Sequence, residues 1–160
     1  MRSVARHLRW MAAWLALLGT PAAAQPFHFV VLGDRTGEAQ PGVYEEVWKE
    51  AAAESPAFVV TVGDTIEGLN DATAESEWRG IEQLRQPYRR IPFYPAPGNH
   101  DIWSPISRRL FRQHTGHDPH YGFDYQQAHF TILDNSRSDD LSPGEMAFLE
   151  QDLKAHASSR

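Results

Sequence analysis

Three short apolar runs in this chain end in the same kind of residue. Phe27 to Leu32 (FHFVVL) ends at Gly33-Asp34, and Phe58 to Val62 (FVVTV) ends at Gly63-Asp64. Phe93 to Ala96 (FYPA) runs into Pro97-Gly98-Asn99-His100-Asp101. Brief apolar runs closed by turn residues read as buried strands. Helical spacing lies between them. Val43, Val47 and Ala51 repeat at i+4, as do Tyr44, Trp48 and Ala52, opened by Pro41-Gly42 and ended by Ser55-Pro56. A second helix is predicted over Thr73 to Gln86, with Trp78, Ile81 and Leu84 on one face and Pro87 as its stop. Strand–helix–strand alternation implies an α/β fold with a largely parallel sheet. In such sheets ligands bind at the carboxyl ends of the strands, which is where these polar residues stand.

Further along, a helix is predicted from Pro105 to about Gln113. A hairpin is predicted from Tyr121 to Tyr125 and His129 to Leu133, although Gln126-Gln127 is poor two-residue turn chemistry. Ser142-Pro143-Gly144-Glu145 reads as a capping box with proline at the first helical position. The helix behind it places Met146, Leu149 and Leu153 on one face.

The beginning of the chain is of another kind. Arg2, Arg6 and Arg9 precede the apolar run Trp10 to Leu18. Gly19 and Pro21 break that run, and Ala22-Ala23-Ala24 follows. This is the pattern of a secretory signal peptide over residues 1–24, leaving 25–160 as the domain and a secreted or periplasmic location. The apolar core falls well short of the ~20 residues of a membrane span, and no stable span is expected after cleavage. Cleavage removes three arginines and no acid, so the formal net charge moves from −6 to −9. An acidic surface speaks against nucleic-acid binding. The absence of cysteine excludes disulfides, zinc ribbons and thiol nucleophiles.

Parallel strands would bring Asp34, Asp64 and Asn99 to one sheet edge. Unpaired carboxylates meeting there repel. A divalent cation resolves the repulsion, and Asn99 adds a neutral oxygen. Hard oxygen donors with imidazole nearby suit manganese, iron or zinc. Taken singly, each Asp is also a common turn residue.

The series Gly33-Asp34, Gly63-Asp64, Gly98-Asn99-His100-Asp101 resembles the calcineurin-like metallophosphoesterase superfamily, whose motifs run D-x-H, G-D, G-N-H-[DE], a later histidine and G-H-x-H. The resemblance covers Phe27 to about Leu153. It implies a metallophosphoesterase-type α/β sandwich and a secreted enzyme that hydrolyses phosphate mono- or diesters of small molecules with two divalent metal ions. It implies that Asp34 binds the first metal, Asp64 bridges both and Asn99 binds the second. His100 acts as general acid or stabilises the phosphoryl oxygens, and Asp101 orients His100. Two departures accompany it. Asp34-Arg35-Thr36 stands in place of D-x-H, as in a D-R-T-G subset. The later histidine motifs have no counterpart before Arg160, so the domain is expected to be an N-terminal portion whose metals lack part of their ligands.

These departures carry the alternative, a non-catalytic secreted domain that keeps the fold with a degenerate or truncated metal site. An aspartyl-nucleophile phosphatase wants a second Asp at position 36, where Thr36 stands. No G-x-S-x-G elbow or G-x-x-x-x-G-K-[ST] loop is present. Several other residues read as structural. Arg35 is expected to face solvent or pack on a helix more than to touch a phosphate. His114, His117 and His120 are expected in a polar loop, Glu67 as a loop carboxylate, and Trp103 as packing or a pocket wall.

Overall fold

The computed structural model describes residues 25–159, so the leader expected over residues 1–24 lies outside the described residues. Strands β1 (Val30–Leu32), β2 (Val59–Val62) and β3 (Phe93–Ala96) form a parallel sheet in the order β1-β2-β3. Val30 pairs with Val59, and Val59 with Phe93. Helix α1 (Val43–Ala53) connects β1 to β2, and α2 (Ala74–Arg85), extended by a 3-10 turn at Gln86–Tyr88, connects β2 to β3. The α/β reading with a parallel sheet is therefore what the chain adopts. β1 is shorter than its apolar run; ahead of it Phe29 stacks on Phe58 and Phe27 lies tilted against the same ring.

Each sheet face has its own cover. On one face, Leu32 and Val59 pack with Trp48 and Ala51 of α1. On the other, Phe58 (0% exposed) and Tyr94 meet the antiparallel hairpin β4 (Tyr121–Tyr125) and β5 (Ala128–Ile132). Phe58 lies 5.4, 5.2 and 5.2 Å from the ring centroids of Phe123, Tyr125 and Phe130. Alternation along the hairpin points these aromatics inward and Gly122, Asp124, His129 and Thr131 outward. The weak turn composition is met by Gln126 adopting a positive φ of 55°. A second core joins Trp78 and Ile81 of α2 to Leu110 and Phe111 of α3 (Pro105–Thr115), together with Ile66 and Ile102.

Helix α4 (Pro143–Ala155) lies on the outward face of the hairpin and differs from expectation twice. Ser142 caps it by accepting from the Glu145 N–H at 3.2 Å. The Glu145 carboxylate does not return to the cap, however. It turns inward to His120 Nδ1 (2.6 Å) and the Asp134 N–H (3.0 Å). A full capping box forms instead at α3, between Ser104 and Ser107. The helix also buries its other side. Of the expected face, Met146 and Leu153 are 44% and 55% exposed and Leu149 is half-buried, while Asp152 faces the hairpin and Glu145 its flanking residues His120 and Asp134. Among the described residues, no helix is long and apolar enough to cross a membrane.

Candidate metal centre

The loops at the carboxyl ends of β1, β2 and β3 are stitched together by their backbones. Arg35 N–H donates to the Asp64 carbonyl at 3.2 Å, and His100 N–H donates to Asp64 Oδ1 at 2.9 Å. The motif glycines make this approach possible. Gly63 has φ +101°, and a Cβ there would meet the Gly98 Cα at 2.9 Å. A Cβ at Gly98 would collide with the Asp64 carboxylate. Asp64 itself sits in the left-handed region at φ 53°, a conformation Asp tolerates better than most residues. The Gly63-Asp64 and Gly98-Asn99 pairs thus follow from close packing of neighbouring loops, while Gly33 has open space around it.

Asp34, Asp64 and Asn99 open together into a polar cleft of about 640 Å³, joined there by Asn135, Ser136 and Arg137 from the loop after β5. Among the described residues neither Asp34 nor Asp64 forms an ion pair. Two carboxylates and an amide converging without a paired cation are a donor set that fits a hard or borderline divalent metal. Thr36, which stands where D-x-H has its histidine, is turned onto Asp34. Its hydroxyl and its N–H both donate to Asp34 Oδ1, at 2.8 and 2.6 Å. That leaves Oδ2 as the oxygen of Asp34 without a protein partner, and it holds the carboxylate in one orientation.

His100 lies at this edge, with Nδ1 bonded to the Glu67 carbonyl. A carbonyl only accepts, so Nδ1 carries hydrogen and Nε2 is the nitrogen that gains or loses a proton. The loop that supplies this carbonyl depends on Gly68 (φ +62°), where a Cβ would strike the His100 carbonyl.

Asp101 is placed differently from expectation. It does not orient the His100 ring. It is 0% exposed, with Oδ1 accepting from the Thr65 N–H (2.9 Å) and the Ile66 N–H (3.3 Å) and Oδ2 from the Gly98 N–H (2.9 Å). Burial pushes its carboxyl up to about 7, against the pull of those three donors. Asp101 therefore ties the β2 loop to the β3 loop, and the Glu67 carbonyl takes the orienting part.

Of the two settings expected for Arg35, facing solvent or packing, the structure shows packing. It donates to the Thr65 carbonyl at 3.1 Å and lies over the Tyr44 ring at 5.2 Å. Trp103 packs against the α2–α3 core. The three spaced histidines diverge. His114 sits between Glu82 (2.8 Å) and Glu75 (3.3 Å), His117 stacks on Tyr121, and His120 bonds Glu145. The loop from Asn135 to Asp139 was not foreseen as part of the cleft. Its signal is the Asp134-Asn135-Ser136 turn cluster behind a strand. Asp134 anchors that loop through Arg108 (2.7 Å) and the Ser136 hydroxyl (2.5 Å).

Comparison with known proteins agrees with this geometry. The family model described as calcineurin-like phosphoesterase matches residues 27–151. No curated protein matches the chain.

Proposed function

Since this chain belongs to the calcineurin-like phosphoesterase family, a family of hydrolases, we propose that it is a secreted or periplasmic enzyme that cleaves small phosphate mono- or diesters with two divalent metal ions. The leader pattern over residues 1–24 supports the location. The observation that carries the activity is the convergence of Asp34, Asp64 and Asn99 on one polar cleft, with the His100 backbone N–H bonded to Asp64 and its ring held on the Glu67 carbonyl.

Asp34 and Asn99 would each hold one metal, and Asp64, stitched to both neighbouring loops, would bridge the pair. Such ions supply positive charge to the phosphoryl oxygens and acidify a water molecule. Thr36 fixes the rotamer of Asp34, and Asp101 fixes the separation of the β2 and β3 loops. His100, with Nδ1–H held on the Glu67 carbonyl, presents Nε2 to the departing ester oxygen and delivers a proton there. Arg137 lines the cleft as its cationic side chain and suits a phosphate or a carboxylate on the substrate.

The test is turnover of an aryl phosphate monoester and a diester by the full chain supplied with Mn²⁺, Fe²⁺ or Zn²⁺. His100→Ala should leave metal content nearly unchanged and cut turnover by roughly 100-fold or more. Asp64→Asn should lose metal and activity together. Metal bound at the cleft with no turnover of either ester would favour the non-catalytic reading. That reading has one observation of its own, the Thr36 hydroxyl turned onto Asp34 at a position where D-x-H has an imidazole.

A further inference from the structure

The outward face of the hairpin holds a second cluster of metal-ligating side chains. Asp124 of β4, His129 of β5 and His156 at the end of α4 each bring one donor atom within 4.8 Å of the other two. The inward residues flanking them, Tyr125 and Phe130, lie against Phe58 just ahead of β2. The cluster is therefore at the amino end of the parallel sheet, opposite the cleft of Asp34 and Asp64.

The hydrogen bonds around it sort the ring nitrogens. His129 Nε2 lies 2.7 Å from Asp152 Oδ2, and that oxygen also accepts from the Thr131 hydroxyl at 2.6 Å. His129 Nδ1 faces Asp124 Oδ1 at 2.7 Å. His156 Nδ1 is 2.8 Å from the Asp152 carbonyl, which can only accept. Metal-bound imidazoles typically donate their second N–H to a carboxylate or a backbone carbonyl. Here one imidazole does each. That leaves His129 Nδ1, His156 Nε2 and the Asp124 carboxylate as the donors.

Space and charge agree. Gly122, opposite Thr131 in the hairpin, opens the site: a Cβ there would sit 2.9 Å from His129 Cε1 and 3.1 Å from Asp152 Oδ1. The two imidazoles stack with centroids 3.6 Å apart, so they repel if both carry charge. Two carboxylates with two neutral imidazoles are balanced by a single divalent ion. The His129 side chain is 6% exposed, while Asp124 (62%) and His156 (33%) line the route in from solvent and have room to rotate. Tetrahedral donors on one zinc ion stand about 3.4 Å apart, so closure asks for a rotation of those two side chains.

We propose that Asp124, His129 and His156 form a structural site for a divalent transition metal such as zinc, with Asp152 orienting His129. The ion would pin the C-terminal end of α4 to the hairpin. Mixed imidazole and carboxylate donors select zinc, cobalt or nickel over magnesium and calcium.

Cobalt(II) is the probe, read by its visible absorption and by the paramagnetic shifts it induces in histidine ring protons. Asp34→Asn/Asp64→Asn full chain removes the carboxylates of the cleft. It should still bind one equivalent of Co²⁺, with shifted signals from His129 and His156. Adding His156→Ala, a partly exposed position, should weaken that binding by roughly 100-fold. No saturable binding in the double variant, or binding undiminished by His156→Ala, overturns the site. If circular dichroism shows that the double variant does not fold, zinc content decides between the wild-type chain and His156→Ala alone. One equivalent fewer in the variant supports the site, and equal content overturns it.

Discussion

The two faces of the β4–β5 hairpin are held in opposite ways. Inward, Phe123, Tyr125 and Phe130 close on Phe58 with centroid distances between 5.2 and 5.4 Å. Outward, α4 is carried mainly by polar groups, Glu145 on His120 and Asp134 and Asp152 on His129 and Thr131, with one ring contact, Phe148 stacked on His120. The first interface draws on apolar area, which depends little on pH or ions. The second draws on charge and hydrogen bonds, which depend on both. One hairpin thus joins a permanent layer to a conditional one.

The sharpest way to break the comparison is at Phe58. It is fully buried and meets rings from both strands of the hairpin, so Phe58→Ala should cost about 3–5 kcal/mol in urea denaturation. The hairpin and α4 should loosen together. A cost below about 1 kcal/mol would mean that the inward layer does not depend on this ring.

Asp152 tests the outward layer. Asp152→Ala removes the acceptor of both the His129 ring and the Thr131 hydroxyl. Leaving partly buried donors unpaired should cost about 1–3 kcal/mol. Hydrogen exchange should rise in α4 while β1–β3 keep their protection. Equal loss of protection in the sheet would show the two layers to be one cooperative unit.

How far the sequence led follows the same division. Period-2 and period-3.6 patterns made the inner layers legible, since apolar area is what those patterns encode. The strand-end residues Asp34, Asp64 and Asn99 were legible for a related reason: parallel pairing forces strand ends to one edge. The outward layer was not. The Met146–Leu149–Leu153 stripe pointed to an apolar face for α4, yet the helix docks through Glu145, Asp152 and His156, whose partners lie up to 25 residues away in sequence. No local period reports such a pairing. Asp101 was misread for a like reason, because its three donors come from two other loop positions and its own turn, and adjacency to His100 suggested a nearer partner.

A change of pH should loosen α4 without touching the aromatic layer, and its direction is fixed in the metal-free protein. Burial lowers the His129 pKa, but the carboxylates of Asp152 and Asp124 on its two nitrogens outweigh that and raise it. The groups facing His129 are these two acids, His156 and the Thr131 hydroxyl. A raised folded pKa means that the contribution is complete below the unfolded value of about 6.5 and is lost as pH rises through the folded value. Burial pushes Asp152 the other way, upward, yet the Thr131 and His129 bonds leave its pKa lowered. Its contribution is present above about pH 4 and is lost as pH falls. With a chelator present, protection of the α4 amides relative to their intrinsic exchange rate at each pH should be greatest between about pH 4 and 6.5. A flat profile would show that His129 does not fasten the helix. Zinc should extend protection to higher pH, because the metal replaces the proton on Nδ1.

The smallest effect is expected where the sequence expected a large one. Leu153 is 55% exposed on the solvent side of α4. Leu153→Ser removes little buried area, so it should change stability by no more than about 0.5 kcal/mol. A buried leucine replaced this way would cost several times as much, since its full transfer term of about 1.5–3 kcal/mol would be lost. The pair Leu153→Ser and Asp152→Ala, adjacent in sequence and about 100° apart around one helix, therefore measures which side is fastened. If Leu153→Ser proves the costlier of the two, α4 is held by an apolar surface, and the polar attachment to the hairpin is the weaker of its contacts.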